Sequence, residues 1–136
     1  MQNINPDIWG AHGWKFMHYI TLAYPKNPTA KEKQAIKLFF SGVGDVLPCY
    51  LCRIHYEAHL KKYPLDDTVV SCEKNLSKWL VDIHNEVNSI HGKHRYTMDE
   101  FYEEYLGVHN KWYQNYIVIL ILVIVILMIF FIKRFI

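Results

Sequence analysis

The chain has 136 residues, of which 51% are hydrophobic, and its formal net charge is only +2. Because no run of like charges occurs, the composition excludes the strongly basic surface on which most nucleic-acid binding depends. Its three cysteines are an odd number, which argues against a secreted disulfide framework and leaves Cys72 without an obvious partner.

The start of the chain predicts a helix and no secretory signal. Residues 1–7 are polar and lack the apolar segment of a signal peptide. A first helix is predicted from about Pro6 to Ala23. It ends at Tyr24-Pro25, since proline discourages continuation.

A second helix is predicted to begin at Thr29, in the capping-box pattern T-A-K-E, and to end near Phe40. Gly42 and Gly44 follow. They indicate a helix end or a loop and not a phosphate-binding turn, because no strand precedes them and no third glycine follows.

The rest of the soluble part also reads as helices separated by turn signals. Leu76, Leu80, Ile83, Val87 and Ile90 repeat at the spacing of a buried helical stripe. The elements predicted here are a third helix that carries the cysteines and ends near Tyr63, a fourth from Ser71 to about His91, and a short fifth from Thr97 to about Gly107.

The last part of the chain predicts a membrane anchor. Residues 116–132 carry no charge, have aromatic residues before them, and are followed by Lys133 and Arg134. We therefore expect a soluble domain over residues 1–112 and a transmembrane anchor over 113–136. Without an N-terminal signal, we expect a single-pass protein whose domain faces the cytosol.

These elements predict an all-α fold, namely a four-helix bundle with a short fifth helix and a C-terminal transmembrane helix. No strand pattern of useful length precedes the apolar segment. That excludes a thioredoxin-like domain, which needs βαβ elements.

Cys49 and Cys52 form a C-x-x-C motif at a predicted helix N-terminus. The partial positive charge there lowers the pKa of a thiol and favours the reactive thiolate. On the motif alone, three interpretations stay open, namely a redox pair, half of a zinc site, and two buried residues that only pack.

Zinc is the more substantial of the two rivals. Cys49, Cys52, His55 and His59 fall on one side of a helix and are suitable ligands. A straight helix, however, spreads them over about 15 Å, too far to meet at one ion. Zinc binding would require the helix to break.

Two other segments carry chemistry-bearing groups. Trp14 and His18 lie four residues apart on the first helix, near Gly10, whose presence in a helix calls for a reason such as close approach of a ligand. His84 and Asn88 lie one turn apart on the fourth helix, where polar groups need partners if they are buried.

Together the three segments resemble the Erv/ALR family of FAD-linked sulfhydryl oxidases. The matching patterns are W-G-x-x-x-W-x-x-x-H from Trp9 to His18, C-x-x-C at Cys49 and Cys52, and H-N-x-V-N-x-x-x-G-K from His84 to Lys93. Their order and approximate separations match over about 85 residues, essentially the whole core of that domain.

The resemblance implies a helical bundle that holds FAD. It implies that Cys52 lies beside the flavin and passes electrons to it, while Cys49 exchanges disulfides with the incoming thiol. The positions that it assigns to FAD binding are Gly10, Trp14, His18, Tyr24, His55, His84, Asn85, Asn88 and Lys93. Tyr24 is the weakest match among them.

The chain departs from the family pattern in two ways. A structural disulfide common in the family would fall at Val81 and Met98, and neither is cysteine. No second, shuttle cysteine pair is present, so substrate would have to reach Cys49 directly. A short form with an added apolar segment most resembles the oxidases of large cytoplasmic DNA viruses, which act on virion proteins on the cytosolic side.

The resemblance therefore predicts a membrane-tethered thiol oxidase that makes protein disulfides and reduces oxygen to hydrogen peroxide. The expected partners are protein thiols or a small redox carrier protein, oxygen, a virion or host endoplasmic-reticulum-derived membrane, and a second copy in a homodimer through the first helices. The alternatives are a zinc-stabilised adaptor on a membrane and a tail-anchored helical interaction module.

Overall fold

The structure, a computed structural model, describes the backbone of residues 2–107 and 110–135 and the side chains of residues 2–107 and 116–132. Within these residues all regular elements are helical and no strand occurs, which confirms the predicted all-α class. The elements in chain order are α1 (Pro6–Leu22), α2 (Ala30–Val46), α3 (Tyr50–Lys62), a 3-10 turn (Val69–Ser71), α4 (Glu73–Ile90), α5 (Met98–Leu106) and α6 (Asn110–Phe135).

The helix starts follow local capping chemistry. Asn5 accepts a hydrogen bond from the Asp7 amide at the start of α1, where Pro6 occupies the first helical position. Thr29 and Glu32 form the predicted capping box of α2. These bonds satisfy amides that the helices themselves leave unpaired.

Two predicted boundaries are wrong. The helix α2 does not end near Phe40 but continues through both glycines to Val46. Packing explains why position 44 is glycine, since a Cβ there would lie 2.9 Å from Cδ1 of Tyr56 on α3. The N-cap of α4 is Cys72 and not Ser71, whose hydroxyl donates to the Thr68 carbonyl inside the 3-10 turn.

The chain divides into two compact units, one ending at Met98 and the other beginning at Asp99. In the first unit α1 packs on α4 and α2 packs on α3, and the 3-10 turn contacts both α2 and α4. Its most deeply buried apolar side chains are Phe40, Val70, Leu76, Leu80 and Ile83. Three of these belong to the predicted stripe of α4, whereas Ile90 at the end of that stripe is exposed.

The second unit contains α5 and the long helix α6, which includes the apolar segment. Among the residues open to description, no helix is both long enough and apolar enough to cross a membrane, so the predicted transmembrane helix is not supported. The side chains of Trp112, Lys133 and Arg134, predicted to flank that span, lie outside the described residues. The predicted division between residues 112 and 113 stays a prediction.

Candidate active site

Cys49 and Cys52 are joined by a disulfide at the start of α3, with their Cα atoms 5.2 Å apart. Cys49 is the N-cap of the helix, and its Sγ accepts a hydrogen bond of 3.2 Å from the Cys52 amide. When the pair is reduced, this N–H and the helix N-terminus both stabilise a thiolate at Cys49. The chain therefore holds an exchangeable disulfide where helix geometry favours the nucleophilic form of sulfur.

The N-terminal segment holds the loop that carries this disulfide. The Ile4 amide donates to the Pro48 carbonyl at 2.7 Å, and Asn3 Oδ1 accepts from the Tyr50 amide at 2.9 Å. On the other side of the loop, Arg53 Nη1 donates to the Leu47 carbonyl at 2.6 Å. No sequence pattern indicates the first two contacts, because Asn3 and Ile4 belong to a short polar segment without periodicity.

The two cysteines differ in exposure. Cys49 is buried, with 6% of its surface exposed, and Cys52 is half-buried. The residues between them, Tyr50 and Leu51, are exposed. Two exposed side chains therefore lie in the same helical turn as the disulfide. The separate roles predicted for the two sulfurs stay predictions.

A second cluster joins α1 to α4 through three of the predicted cofactor residues. The Trp14 indole stacks on the His84 imidazole, with ring centroids 4.1 Å apart and planes inclined by 10°. His18 Nε2 lies 3.0 Å from His84 Nδ1, a hydrogen-bond distance. The structure thus brings residues 66 positions apart in sequence into one aromatic and imidazole cluster.

Both imidazoles are held neutral. Burial, followed by the nearby His84, lowers the pKa of His18 to about 3. Burial, followed by the charge of Lys93, lowers the pKa of His84 to about 4. Neutral rings at neighbouring positions offer both donors and acceptors of hydrogen bonds, so they suit the polar edge of a heteroaromatic ligand better than a bare anion.

Lys93 lies at the solvent edge of this cluster. Its amide donates to the Asn88 carbonyl at 2.8 Å, beyond the end of α4, and Gly92 before it has a positive φ of 62°. The tight turn places an exposed ammonium close enough to His84 to lower the pKa of that imidazole. Such a cation is suited to a phosphate group.

Asn85 faces the segment that follows α4. Its Nδ2 donates to the Tyr96 carbonyl at 2.9 Å, and its Oδ1 accepts from the Tyr96 amide at 2.7 Å. This pair of bonds joins α4 to the segment after it, as the absent disulfide at Val81 and Met98 would have done. Both ends of its side-chain amide bond the Tyr96 backbone, so Asn85 positions this segment, and its predicted contact with FAD stays a prediction.

Tyr96 is a member of the site that sequence reasoning missed. Its ring centroid lies 5.9 Å from that of His84 and 5.6 Å from that of His94. The residue falls in an irregular segment that no periodicity marks, so only the fold reveals its position. Through Asn85, the tyrosine backbone is fixed beside the imidazole cluster.

Four of the predicted residues are not among the side-chain contacts described for either cluster, and one of them, Asn88, is buried on α4. His55 lies exposed on α3. The buried Tyr24 hydroxyl donates to the Val70 carbonyl at 3.0 Å, so it links the chain after α1 to the 3-10 turn. At Gly10 an added Cβ would meet nothing within 4 Å, so protein packing does not require glycine there. Their predicted roles toward a ligand stay predictions.

The zinc interpretation is not favoured by this geometry. The disulfide occupies the two sulfurs that a metal would need as thiolates. Over the part of the chain that the structure describes, no group of three or more His, Cys, Asp or Glu side chains is arranged to hold a metal ion. The helix α3 also runs from Tyr50 to Lys62 without the break that a zinc site would require.

Comparison with known proteins decides the family. Residues 11–106 match the model of the Erv1 / Alr family. The chain belongs to this family. The match covers both the cysteine pair and the cluster of Trp14, His18 and His84.

Similar proteins include two viral ones named as FAD-linked sulfhydryl oxidases. One, from Acanthamoeba polyphaga mimivirus, is 48% identical over 100 residues, which are 74% of this chain and 70% of the relative. The other, from Invertebrate iridescent virus 6, is 33% identical over 97 residues, or 68% of this chain and 87% of the relative. The resemblance inferred from the three sequence patterns is thereby confirmed.

Solved structures give the same answer for the fold. The crystal structure of the yeast Erv1 core matches with a TM-score of 0.68, at 21% identity, over 77% of this chain and 86% of that one. At this identity the likeness concerns the fold alone. It confirms that this chain has an Erv1-like helical fold.

Proposed function

We propose that this chain is an FAD-dependent thiol oxidase that forms disulfides in protein substrates. The observation that carries the proposal is the Cys49–Cys52 disulfide at the N-terminus of α3, in the same compact unit as the Trp14, His18 and His84 cluster. Membership of the Erv1 / Alr family and relatives named as FAD-linked sulfhydryl oxidases support the same activity.

The residues of the second cluster fit FAD by their chemistry. The flat indole of Trp14 and the parallel imidazole of His84 are surfaces on which fused rings stack. The neutral rings of His18 and His84 supply hydrogen-bond donors and acceptors, and exposed Lys93 supplies a cation for the pyrophosphate. These four residues would hold the cofactor, and Asn85 and Tyr96 would keep the adjoining segment in place.

The cysteine pair performs the exchange with substrate. A substrate thiolate attacks one sulfur of the Cys49–Cys52 disulfide, so that a mixed disulfide forms and the other protein sulfur leaves as a thiolate. A second substrate thiolate then displaces the first protein sulfur, which releases an oxidised substrate and leaves both cysteines reduced. Two electrons pass from substrate to the pair, and the two substrate protons go to solvent or to the new thiols.

Reoxidation of the pair needs a two-electron acceptor. FAD, when bound, supplies this chemistry and can return the electrons to oxygen as hydrogen peroxide. We propose that Cys52 is the sulfur that faces the cofactor and that Cys49 meets substrate. The Cys52 amide that bonds Cys49 Sγ favours the thiolate at Cys49 in the reduced pair.

The test is to purify the full chain and record its absorbance spectrum, its oxidation of dithiothreitol and its release of peroxide. We expect a yellow protein that releases one peroxide for each dithiol oxidised. Cys52→Ser should keep the flavin and lose turnover. A colourless, folded protein with stoichiometric zinc, which loses its fold when the metal is removed, would establish the adaptor alternative instead.

A place of action follows as a separate proposal, namely that the oxidase serves virion proteins on the cytosolic side of a membrane. Its support is the similarity to viral relatives and the sequence of residues 116–132, in which no side chain is charged and all are exposed. Exposed apolar surface of this extent favours association with lipid or protein. Alkaline carbonate extraction of cell membranes tests whether the chain is attached to the membrane, and a variant that carries both Val123→Glu and Ile126→Glu is the control. Access of a protease to the domain tests on which side of the membrane the domain lies.

A homodimer through α1 is a further proposal. Ile8, Phe16 and Tyr19 are exposed on this helix, and the Phe16 ring contacts the edge of Phe39 on α2. Apolar side chains in such a row suit a self-complementary interface. Sedimentation of the wild type should give a dimer that Phe16→Asp dissociates, and a monomeric wild type would contradict it.

A further inference from the structure

Apolar side chains are exposed next to the redox pair. Tyr50 and Leu51, the two residues between the cysteines, are 61% and 62% exposed, and Ile54 one turn later is 45% exposed. Positions 50, 51 and 54 are neighbours on one face of a helix. Ile4, whose amide bonds Pro48, is also exposed. We name these four residues the apolar rim.

The rim is poor in charge. Residues 46–56 contain no Asp or Glu, and Arg53 is their one Lys or Arg. The guanidinium of Arg53 is bonded to the Leu47 carbonyl inside the same loop, and it also lies 5.8 Å from the Tyr50 ring centroid. The surface that an incoming thiol meets therefore offers apolar contact and little that would attract a charged peptide.

The position of the rim restricts what can cover it. A substrate sulfur must come within bonding distance of the disulfide, whose two Cα atoms are only 5.2 Å apart. Because an extended chain advances about 3.3–3.6 Å per residue, the residues on either side of the reacting cysteine lie close to the disulfide, and Tyr50 and Leu51 are the exposed residues between its two cysteines. Burying apolar side chains there stabilises the encounter in proportion to the area removed from water.

We propose that the apolar rim is the docking surface for a cysteine-bearing polypeptide segment whose neighbouring side chains are apolar. The inference rests on the proposed thiol oxidase function and adds to it a substrate class. Segments of this kind are exposed in chains that have not completed folding and are buried afterwards. The oxidase thus selects thiols in apolar sequence surroundings over thiols in polar ones.

The test compares two peptides of equal length, each with two cysteines, in which the residues that flank the cysteines are leucine in one and asparagine in the other. Wild-type full chain should oxidise the leucine peptide with a kcat/KM about tenfold higher, equivalent to about 1.4 kcal/mol. Equal values for the two peptides would overturn the proposal. This comparison needs no substitution, so it decides even if a variant fails to fold.

A substitution then locates the selectivity. Leu51→Asn should reduce the ratio of the two kcat/KM values by roughly threefold or more. The matched control is Leu38→Asn, because Leu38 on α2 is 65% exposed and should leave the ratio unchanged. If Leu51→Asn lowered kcat/KM equally for both peptides and for dithiothreitol, the substitution would act on the redox chemistry and the proposal would be overturned.

Dithiothreitol oxidation by the wild type distinguishes failure of the proposed thiol oxidase function from failure of the proposed docking surface. If the wild type does not oxidise dithiothreitol, the proposed function itself has failed. If it does, but without peptide selectivity, only the docking surface has failed. A selectivity that disappears as enzyme concentration rises would show that a second copy of this chain covers the rim, which also overturns the proposal.

Discussion

His18 Nε2 on α1 lies 3.0 Å from His84 Nδ1 on α4, so one imidazole donates a hydrogen bond that the other accepts. The ring that accepts must be unprotonated for this bond, and burial lowers both pKa values, to about 3 and about 4, so that both rings are neutral at pH 7. In the unfolded chain each imidazole has a pKa of about 6.5. Below that pH the unfolded state therefore takes up protons that the folded state excludes, and the free energy of unfolding falls.

This sign makes a prediction for the pH dependence of stability. Between about pH 6.5 and 5, before most carboxylates titrate, the free energy of unfolding should fall with a slope of at most about 1.4 kcal/mol per pH unit for each proton taken up. His84→Gln should make the slope shallower. Denaturant unfolding at several pH values measures this slope. A free energy of unfolding that is constant over this range in the wild type would contradict the lowered pKa values of His18 and His84.

Gly44 and Gly42 in α2 provide a matched pair for packing. A Cβ at Gly44 would lie 2.9 Å from Cδ1 of Tyr56, whereas one at Gly42 would meet nothing within 4 Å. Tyr56 is buried, and its hydroxyl donates to the Phe40 carbonyl at 2.8 Å, so its ring has little room to move. Gly44→Ala should therefore destabilise the fold by about 1–3 kcal/mol.

The control for that change is Gly42→Ala. Alanine favours a helix over glycine by up to about 1 kcal/mol, so this variant should be unchanged or more stable. Thermal unfolding of both variants gives the comparison. Equal stability changes at the two positions would show that the packing of Tyr56 does not require glycine at position 44.

Asn85→Ala should loosen the segment after α4. The substitution removes both hydrogen bonds to the Tyr96 backbone and should cost about 1–3 kcal/mol. Because Tyr96 lies beside His84, we expect the variant also to bind FAD more weakly. Hydrogen exchange at the Tyr96 amide is the direct measurement. Exchange as slow as in the wild type would mean that Asn85 does not hold this segment.

The thiol count tests the pairing of the cysteines. Cys72 is half-buried and free, whereas Cys49 and Cys52 are joined. Denatured without reductant, the chain should therefore show one titratable thiol, and after reduction three. Cys72→Ser should abolish the first and leave dithiothreitol oxidation unchanged. Three thiols before reduction would contradict the disulfide.

Local sequence signals predicted most of the helices because the signals are themselves local. The capping box at Thr29, the proline at the start of α1 and the stripe of Leu76, Leu80 and Ile83 each act within a turn or two of their own helix. The two glycines of α2 predicted a helix end, but Gly44 lies inside the helix and is explained by Tyr56 on another helix, which leaves no room for a Cβ. No rule of local propensity contains that contact.

The candidate site divides along the same line. Trp14, His18 and His84 could be named from spacing and family pattern, and the fold brings them together. Asn85 was assigned to FAD through the family resemblance, whereas its contact with Tyr96, eleven residues away in an irregular segment, had no signal in the sequence. The supports that Asn3 and Ile4 give to the cysteine loop were likewise invisible, since they pair residues 44 to 47 positions apart.

The hydrogen bonds around the cysteine loop have a consequence for the cost of catalysis. Asn3 holds the Tyr50 amide and Ile4 holds the Pro48 carbonyl, and neither of these bonds involves a sulfur atom. We therefore expect the loop to keep these two bonds when the disulfide is reduced. On this expectation a catalytic cycle changes the charge at the helix start while the loop keeps its shape, which would keep the reorganisation energy small.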